Sequence, residues 1–218
     1  MSRQFELLVF DWDGTLMDST TAISESLIAA CKDLRLTVPS EENARFVIGL
    51  GLKETLEYLL PELPKADYPA LLERYREHFL IRDKGTTLFP GAKTLLARLR
   101  AEGFKLAVAT GKSRQGLHRV LTKFELEGVF HATRCADESL SKPDPQMLLW
   151  LMEQLQVPKE KTLMIGDTSH DMLMAKAAEV PRLAVSYGAH SQDKLLAHEP
   201  LACMGHFSEL DRWLMTQA

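Results

Sequence analysis

An α/β fold, a parallel sheet interrupted by an all-helical insertion, is what the sequence predicts, and three observations predict it. Short, nearly continuous apolar runs recur at 7–10 (LLVF), 105–110 (KLAVAT), 162–167 (TLMIGD) and 182–186 (RLAVS). Runs without polar alternation belong to strands buried on both faces of a parallel sheet. Helical patterns lie between them at 92–102, 113–124, 145–156 and about 169–179, so strand and helix alternate as right-handed crossovers require. Finally, the stretch 18–84 reads as helix throughout, with breaks near Val38-Pro39-Ser40, Gly49-Leu50-Gly51 and 61–64. The expected organisation is a discontinuous core, residues 1–17 and 85–218, carrying a helical cap at 18–84.

Bulk properties bound the function. The 218 residues, 45% hydrophobic and 26% charged, suffice for one sizeable domain and a smaller one. A net charge of only -4 gives no broad electrostatic footprint for nucleic acid or an anionic membrane, which leaves small molecules as the expected partners. Cys31, Cys135 and Cys203 are too widely spaced for a disulfide framework or zinc-ligand pairs, so reduced thiols are expected. No apolar signal segment precedes the first acids and no stretch approaches a membrane span, so a cytoplasmic protein is expected.

In open parallel sheets ligands bind at the carboxyl ends of the strands. Asp11 and Asp13 follow the first run, Thr110 ends the second, and Asp167 ends the third. Residues two apart in an extended segment project to the same side, and two carboxylates there repel unless one is protonated or a cation lies nearby. The competing reading of Asp13-Gly14 is a hairpin turn, but the chain after Leu16 leads into a helical pattern. In Gly166 to Asp171 (GDTSHD), an i, i+4 relation turns Asp167 and Asp171 toward one face, although helix capping also accounts for acids there. With Asp11 and Asp13 they form an oxygen-rich cluster suited to a hard cation such as Mg²⁺.

Thr110-Gly111-Lys112-Ser113 resembles the end of a Walker loop, yet Leu106 stands where that loop needs glycine. What remains is a hydroxyl and backbone N–H groups before a helix N-terminus, suited to phosphate or simply to capping by Ser113. Ser141-Lys142-Pro143-Asp144-Pro145 holds a lysine in a stiff loop, with Asp144 and Pro145 suited to start a helix. Asp18 is expected to cap the first insertion helix. His170 is expected to be near the acids without being a ligand.

Four motifs in order, DWDGT at 11–15, ATGKS at 109–113, SKPDP at 141–145 and GDTSHD at 166–171, resemble those of the haloacid dehalogenase superfamily of phosphohydrolases, close to its phosphoglycolate-phosphatase-like branch. The resemblance implies a Rossmann-like core whose helical cap closes over the active site. It implies Asp11 as nucleophile through an aspartyl-phosphate, Asp13 as general acid and base, and Lys142 as the neutralising cation. Thr110 with the backbone N–H groups of Trp12 and Gly111 would hold the phosphoryl oxygens. Mg²⁺ would be held by Asp11, Asp167 and the carbonyl of Asp13, with Asp171 acting directly or through water. Cap loops in related enzymes face the substrate, which makes Arg45, Gly51 and Lys53 candidates, while a plain helix break with a solvated lysine accounts for the same segment. Tyr187, after the fourth run, is a candidate for positioning. Two departures are local: Trp12 is bulkier than usual, and Glu179 replaces the glycine expected after its helix.

The function expected from these residues is Mg²⁺-dependent hydrolysis of a small soluble phosphate monoester, phosphoglycolate or a related compound. A phosphomutase of the β-phosphoglucomutase type is the alternative, followed by a pyrophosphatase, a dehalogenase and a non-catalytic binding module. Monomer and homodimer are both compatible with the sequence.

Overall fold

Strand β1 (Leu7–Phe10) is at the centre of the molecule, and its four side chains are fully buried. Leu8 and Phe10 join one apolar cluster and Leu7 and Val9 the other, so the strand is apolar on both faces. Each such side chain contributes about 1.5–3 kcal/mol of burial. In the computed structural model, which describes residues 4–218, β1 pairs in parallel with β4 (Lys105–Thr110) and with β6 (Thr162–Gly166). Strands β5 (Ala132–Cys135), β7 (Arg182–Val185) and β8 (Cys203–Met204) complete one parallel sheet in the order β5-β4-β1-β6-β7-β8. Helices α5 (Ala92–Ala101), α6 (Arg114–Lys123) and α10 (Phe207–Gln217) cover one face. Helices α7 (Gln146–Leu155) and α8 (Ser169–Ala177) cover the other, and the short α9 (Gln192–Leu196) packs beside β7. The chain leaves β1 toward β4 and later returns on the other side at β6. This reversal opens a crevice at the carboxyl ends of those strands.

The stretch between β2 (Met17–Asp18) and β3 (Thr87–Leu88) contains α1 (Thr20–Asp33), α2 (Glu41–Phe46), α3 (Leu52–Leu59) and α4 (Tyr68–Arg82). These helices have apolar clusters of their own, one around Ala30, Leu56 and Leu71 and one around Leu27, Ala44 and Val47. β2 and β3 pair antiparallel, so the chain leaves and re-enters the sheet region through adjacent strands. That pairing also disposes of the hairpin at Asp13-Gly14, because the partner of β2 lies about seventy residues further on and is not β1.

Asp18 requires a correction. It is an exposed residue of β2, and the residue preceding α1 is Ser19, whose hydroxyl donates to Asp13 instead of capping the helix. Ser113 does cap α6, accepting from Gly116 N–H. Helix α8 ends at Ala177 without the expected glycine: Glu179 itself takes a left-handed φ of 56°, and Lys159 pairs with its carboxylate.

Candidate active site

Strands β1, β4 and β6 deliver Asp11, Thr110 and Asp167 to one edge, and the N-terminus of α8 adds Asp171. Oxygens of Asp11, Asp167 and Asp171 lie within 4.8 Å of one another, all buried. Lys142 joins them from the loop before α7: its Nζ donates to Asp11 Oδ1 and Asp171 Oδ1, each at 2.7 Å, and its side chain is fully buried. Asp167 accepts from Thr15 Oγ1 at 2.8 Å and from the N–H of Ala189 at 2.7 Å. Asp171 Oδ2 accepts from the hydroxyl and N–H of Thr168, a reciprocal capping box that starts α8. Capping and clustering are therefore served by the same residue.

Charge in this cluster does not balance. Three carboxylates face one ammonium, so with all three ionised the buried space would hold an excess of two negative charges. Burial, only partly opposed by Lys142, pushes the Asp11 carboxyl up to about 7. Burial, followed by the charges of Asp11 and Asp171, raises Asp167 well above the usual carboxylate range. Burial works against the Lys142 ammonium, but the two carboxylates more than offset it and hold its pKa above the ordinary lysine value. Asp11 Oδ2 is buried with no hydrogen-bond partner among the described residues. An orphaned carboxylate oxygen, an all-oxygen donor set and an excess matching one divalent ion fit a hard cation such as Mg²⁺.

The fourth expected carboxylate is elsewhere. The Asp13 side chain is not in the cluster: Oδ1 accepts from Ser19 Oγ at 2.5 Å and pairs with Lys112 Nζ at 2.9 Å. The chain turns sharply after Trp12, with Leu16 and Met17 donating back to the Trp12 carbonyl. Gly14 allows the turn with φ +83°, and a Cβ there would run into the Asp167 carboxylate. Trp12 itself is buried against Met17, its indole N–H 3.1 Å from the sulfur.

Thr110 is buried, its Oγ1 accepting from the N–H of Lys112. A Cβ on Gly111 would come within 2.6 Å of the carbonyl oxygens of Gly49 and Leu50, so the loop between α2 and α3 rests directly on this strand end. Gly51 N–H donates to Ser141 Oγ at 2.8 Å, and Arg45 donates to the Gly188 carbonyl at 2.9 Å. Arg45 and Gly51 thus join the insertion to the core. Lys53 is on the outside of α3, its side chain 65% exposed and 4.0 Å from Glu57. It does not line the cavity beside Asp13.

Several participants have roles that the motifs do not reveal. Lys112 is legible only as a residue of a failed Walker loop, and Thr15 only as part of a turn. Tyr187 donates to the Thr15 carbonyl at 3.0 Å and so steadies the turn that holds Asp167. Nε2 of His170 and Nε2 of His190 both face the Phe46 carbonyl, at 2.8 and 3.0 Å, and an acceptor-only partner makes each a donor. His190 also stacks on the Phe46 ring. His170 is buried and is outside the acidic cluster.

A parallel sheet with a buried acidic cluster at its switch point and a helical insertion over it defines a class of α/β hydrolases. Residues 8–185 match the family model described as haloacid dehalogenase-like hydrolase. "Probable phosphatase IndB" of Dickeya dadantii is 36% identical over 94% of this chain and 91% of that protein. The phosphoglycolate phosphatase of Photobacterium profundum is 32% identical over 95% of this chain and 96% of its own length. The crystal structure of a hydrolase from Pseudomonas syringae superposes with a TM-score of 0.89 over 97% of this chain and 98% of that one, at 23% identity. The chain belongs to the haloacid dehalogenase-like hydrolase family, and it is an enzyme of the phosphatase type. Among the described residues no helix is long and apolar enough to cross a membrane.

Proposed function

We propose that the protein is a Mg²⁺-dependent phosphatase that hydrolyses a small phosphate monoester through an aspartyl-phosphate on Asp11, with residues 18–84 acting as a cap hinged at β2 and β3. The observation that carries this reading is the buried, unpartnered Oδ2 of Asp11 in a cluster short of two positive charges.

The Asp11 carboxylate attacks phosphorus, and the bond from phosphorus to the ester oxygen breaks as Asp13 gives that oxygen a proton. The alcohol leaves and Asp11 carries the phosphoryl group. Asp13, now a carboxylate, takes a proton from water, whose oxygen attacks phosphorus and releases Asp11 and inorganic phosphate. Lys112 and Ser19 hold the Asp13 carboxylate in place for both transfers. Lys142 keeps Asp11 oriented and opposes the negative charge that accumulates there. Thr110 and the N–H groups of Trp12 and Gly111 receive the phosphoryl oxygens. Asp11, Asp167 and the Asp13 backbone carbonyl would hold Mg²⁺, which supplies positive charge against the transferring phosphoryl group. Asp171, whose oxygens also serve Lys142 and Thr168, would act on the ion directly or through water.

Release of inorganic phosphate from p-nitrophenyl phosphate tests the reading. Activity that needs added Mg²⁺, disappears with EDTA and requires no bisphosphate activator supports a phosphatase. Phosphate release only in the presence of a sugar bisphosphate would identify a phosphomutase instead.

A further inference from the structure

A cavity of about 630 Å³ opens beside Asp13, between α1, α3 and α4 of the insertion and the N-terminal half of α6. Asp13 protonates the leaving oxygen in the reading above, on which this inference rests, so the cavity is where the alcohol of the substrate resides. Its volume lies among the roughly 300–1,000 Å³ of pockets that take drug-sized ligands, and a two-carbon acid would leave most of it empty. Nor is the volume the gap under an open lid. The carbonyls of Gly49 and Leu50 already rest on Gly111, and Gly51 is bonded to Ser141.

The inner wall has the chemistry of an apolar binding surface. Ile23 and Leu52 line the cavity half-buried and join none of the packed apolar clusters among the described residues, so the rest of their cover is what occupies the cavity; Ile48, beside them in the lining, is already buried. Tyr75 and Phe79, stacked with centroids 5.8 Å apart, also line it. The cations of the lining are committed or peripheral. Lys112 pairs with Asp13 and lies over the Phe79 ring, Arg119 pairs with Asp83 at 3.2 Å, and Arg76 and His118 are exposed. Among the described residues no uncommitted cation stands on the inner wall to receive a carboxylate.

We propose that the substrate is a phosphate monoester whose alcohol is an uncharged, apolar body of about the size of a substituted ring, and not the two-carbon acid of phosphoglycolate. In an apolar pocket one methylene is worth about 10–200-fold in kcat/KM.

The test compares ethyl phosphate, 3-phenylpropyl phosphate and phosphoglycolate with the full-length enzyme and Mg²⁺. The first two lose primary alkoxides, so their leaving-group chemistry is matched. The expected result is a kcat/KM for 3-phenylpropyl phosphate at least about tenfold above both others. Ile23→Trp and, separately, Leu52→Trp fill the cavity and should each cut the ratio of 3-phenylpropyl to ethyl phosphate about tenfold. Because the ratio is taken within one preparation, partial misfolding of a variant cancels. Phosphate released from all three esters with no preference for the bulky one, or with phosphoglycolate preferred, overturns this inference and leaves the phosphatase reading standing. No phosphate from any of them, nor from p-nitrophenyl phosphate, overturns both.

Discussion

At the carboxyl edge of the sheet three carboxylates and one ammonium are buried together, whereas on the other side of Asp13 the insertion presents Ile23, Ile48 and Leu52 to a cavity whose lining cations are paired or peripheral. The first region is specified atom by atom. Thr15, Ala189, Thr168 and Lys142 each occupy a named oxygen, and one oxygen is left for what is bound. The second is specified only by shape and polarity. Phosphoryl chemistry needs fixed charge, so change in the first region costs turnover, while change in the second redirects selectivity.

The largest expected effect comes from the charged region. Asp11→Asn should lower kcat at least about 10³-fold, because the amide oxygen is a poor nucleophile. Phosphate release under saturating substrate checks this, and retention of wild-type turnover would remove Asp11 from the chemistry. Lys142→Met leaves the carboxylates without their ammonium and should destabilise the fold by about 3–5 kcal/mol in urea unfolding without Mg²⁺. Added Mg²⁺ should recover part of that loss, and an unchanged urea midpoint would show that the buried charges are not coupled. Asp167→Asn should raise the Mg²⁺ concentration for half-maximal activity by more than about 100-fold, a shift beyond the 10–100-fold typical of outer-shell changes. A metal titration with identical midpoints for variant and wild type would exclude Asp167 as a ligand.

The smallest effect lies at the seam between the two regions. Burial lowers the His190 pKa to about 4, and the ring stays neutral while donating to the Phe46 carbonyl. Below the unfolded value of 6.5 the unfolded chain takes up a proton that the folded chain refuses until about 4. Stability is therefore complete above pH 6.5 and falls as pH drops toward 4, by up to about 3 kcal/mol. His190→Gln keeps a donor for Phe46 and cannot titrate, so its urea midpoint should decline less between pH 7.5 and 5 than that of the wild type. Parallel declines would place the acid sensitivity elsewhere.

The same contrast governs what can be read from the sequence. Strands β1, β4, β6 and β7 announce themselves because both faces are buried and the apolar run is unbroken. β5 (ATRC) is at the sheet edge with three of its four residues only partly buried, and β8 has two residues, so neither yields a run. The acids of the cluster are legible because each ends a strand or opens a helix. Their partners are not: Thr15 and Asp167 are 152 positions apart, and only the adjacency of β1 and β6 brings them together. Spacing alone does not give the Asp13 side chain its partners, Ser19 and Lys112, which hold it outside the cluster of three acids. Ser19 displaces Asp18 before α1 because residues 17–18 are drawn into pairing with β3. The apolar wall carries no motif at all, as Ile23 and Leu52 look like any core residue until the helices are packed.

Reductive trapping tests the central claim most directly. Borohydride added during turnover reduces an acyl phosphate to the corresponding alcohol, and peptide mass spectrometry locates the reduced side chain. The expected result is reduction at Asp11 alone, dependent on both phosphate ester and Mg²⁺ and absent in Asp11→Asn. Steady phosphate release with Asp11 unmodified, or with the label on another residue, would contradict an aspartyl-phosphate at Asp11.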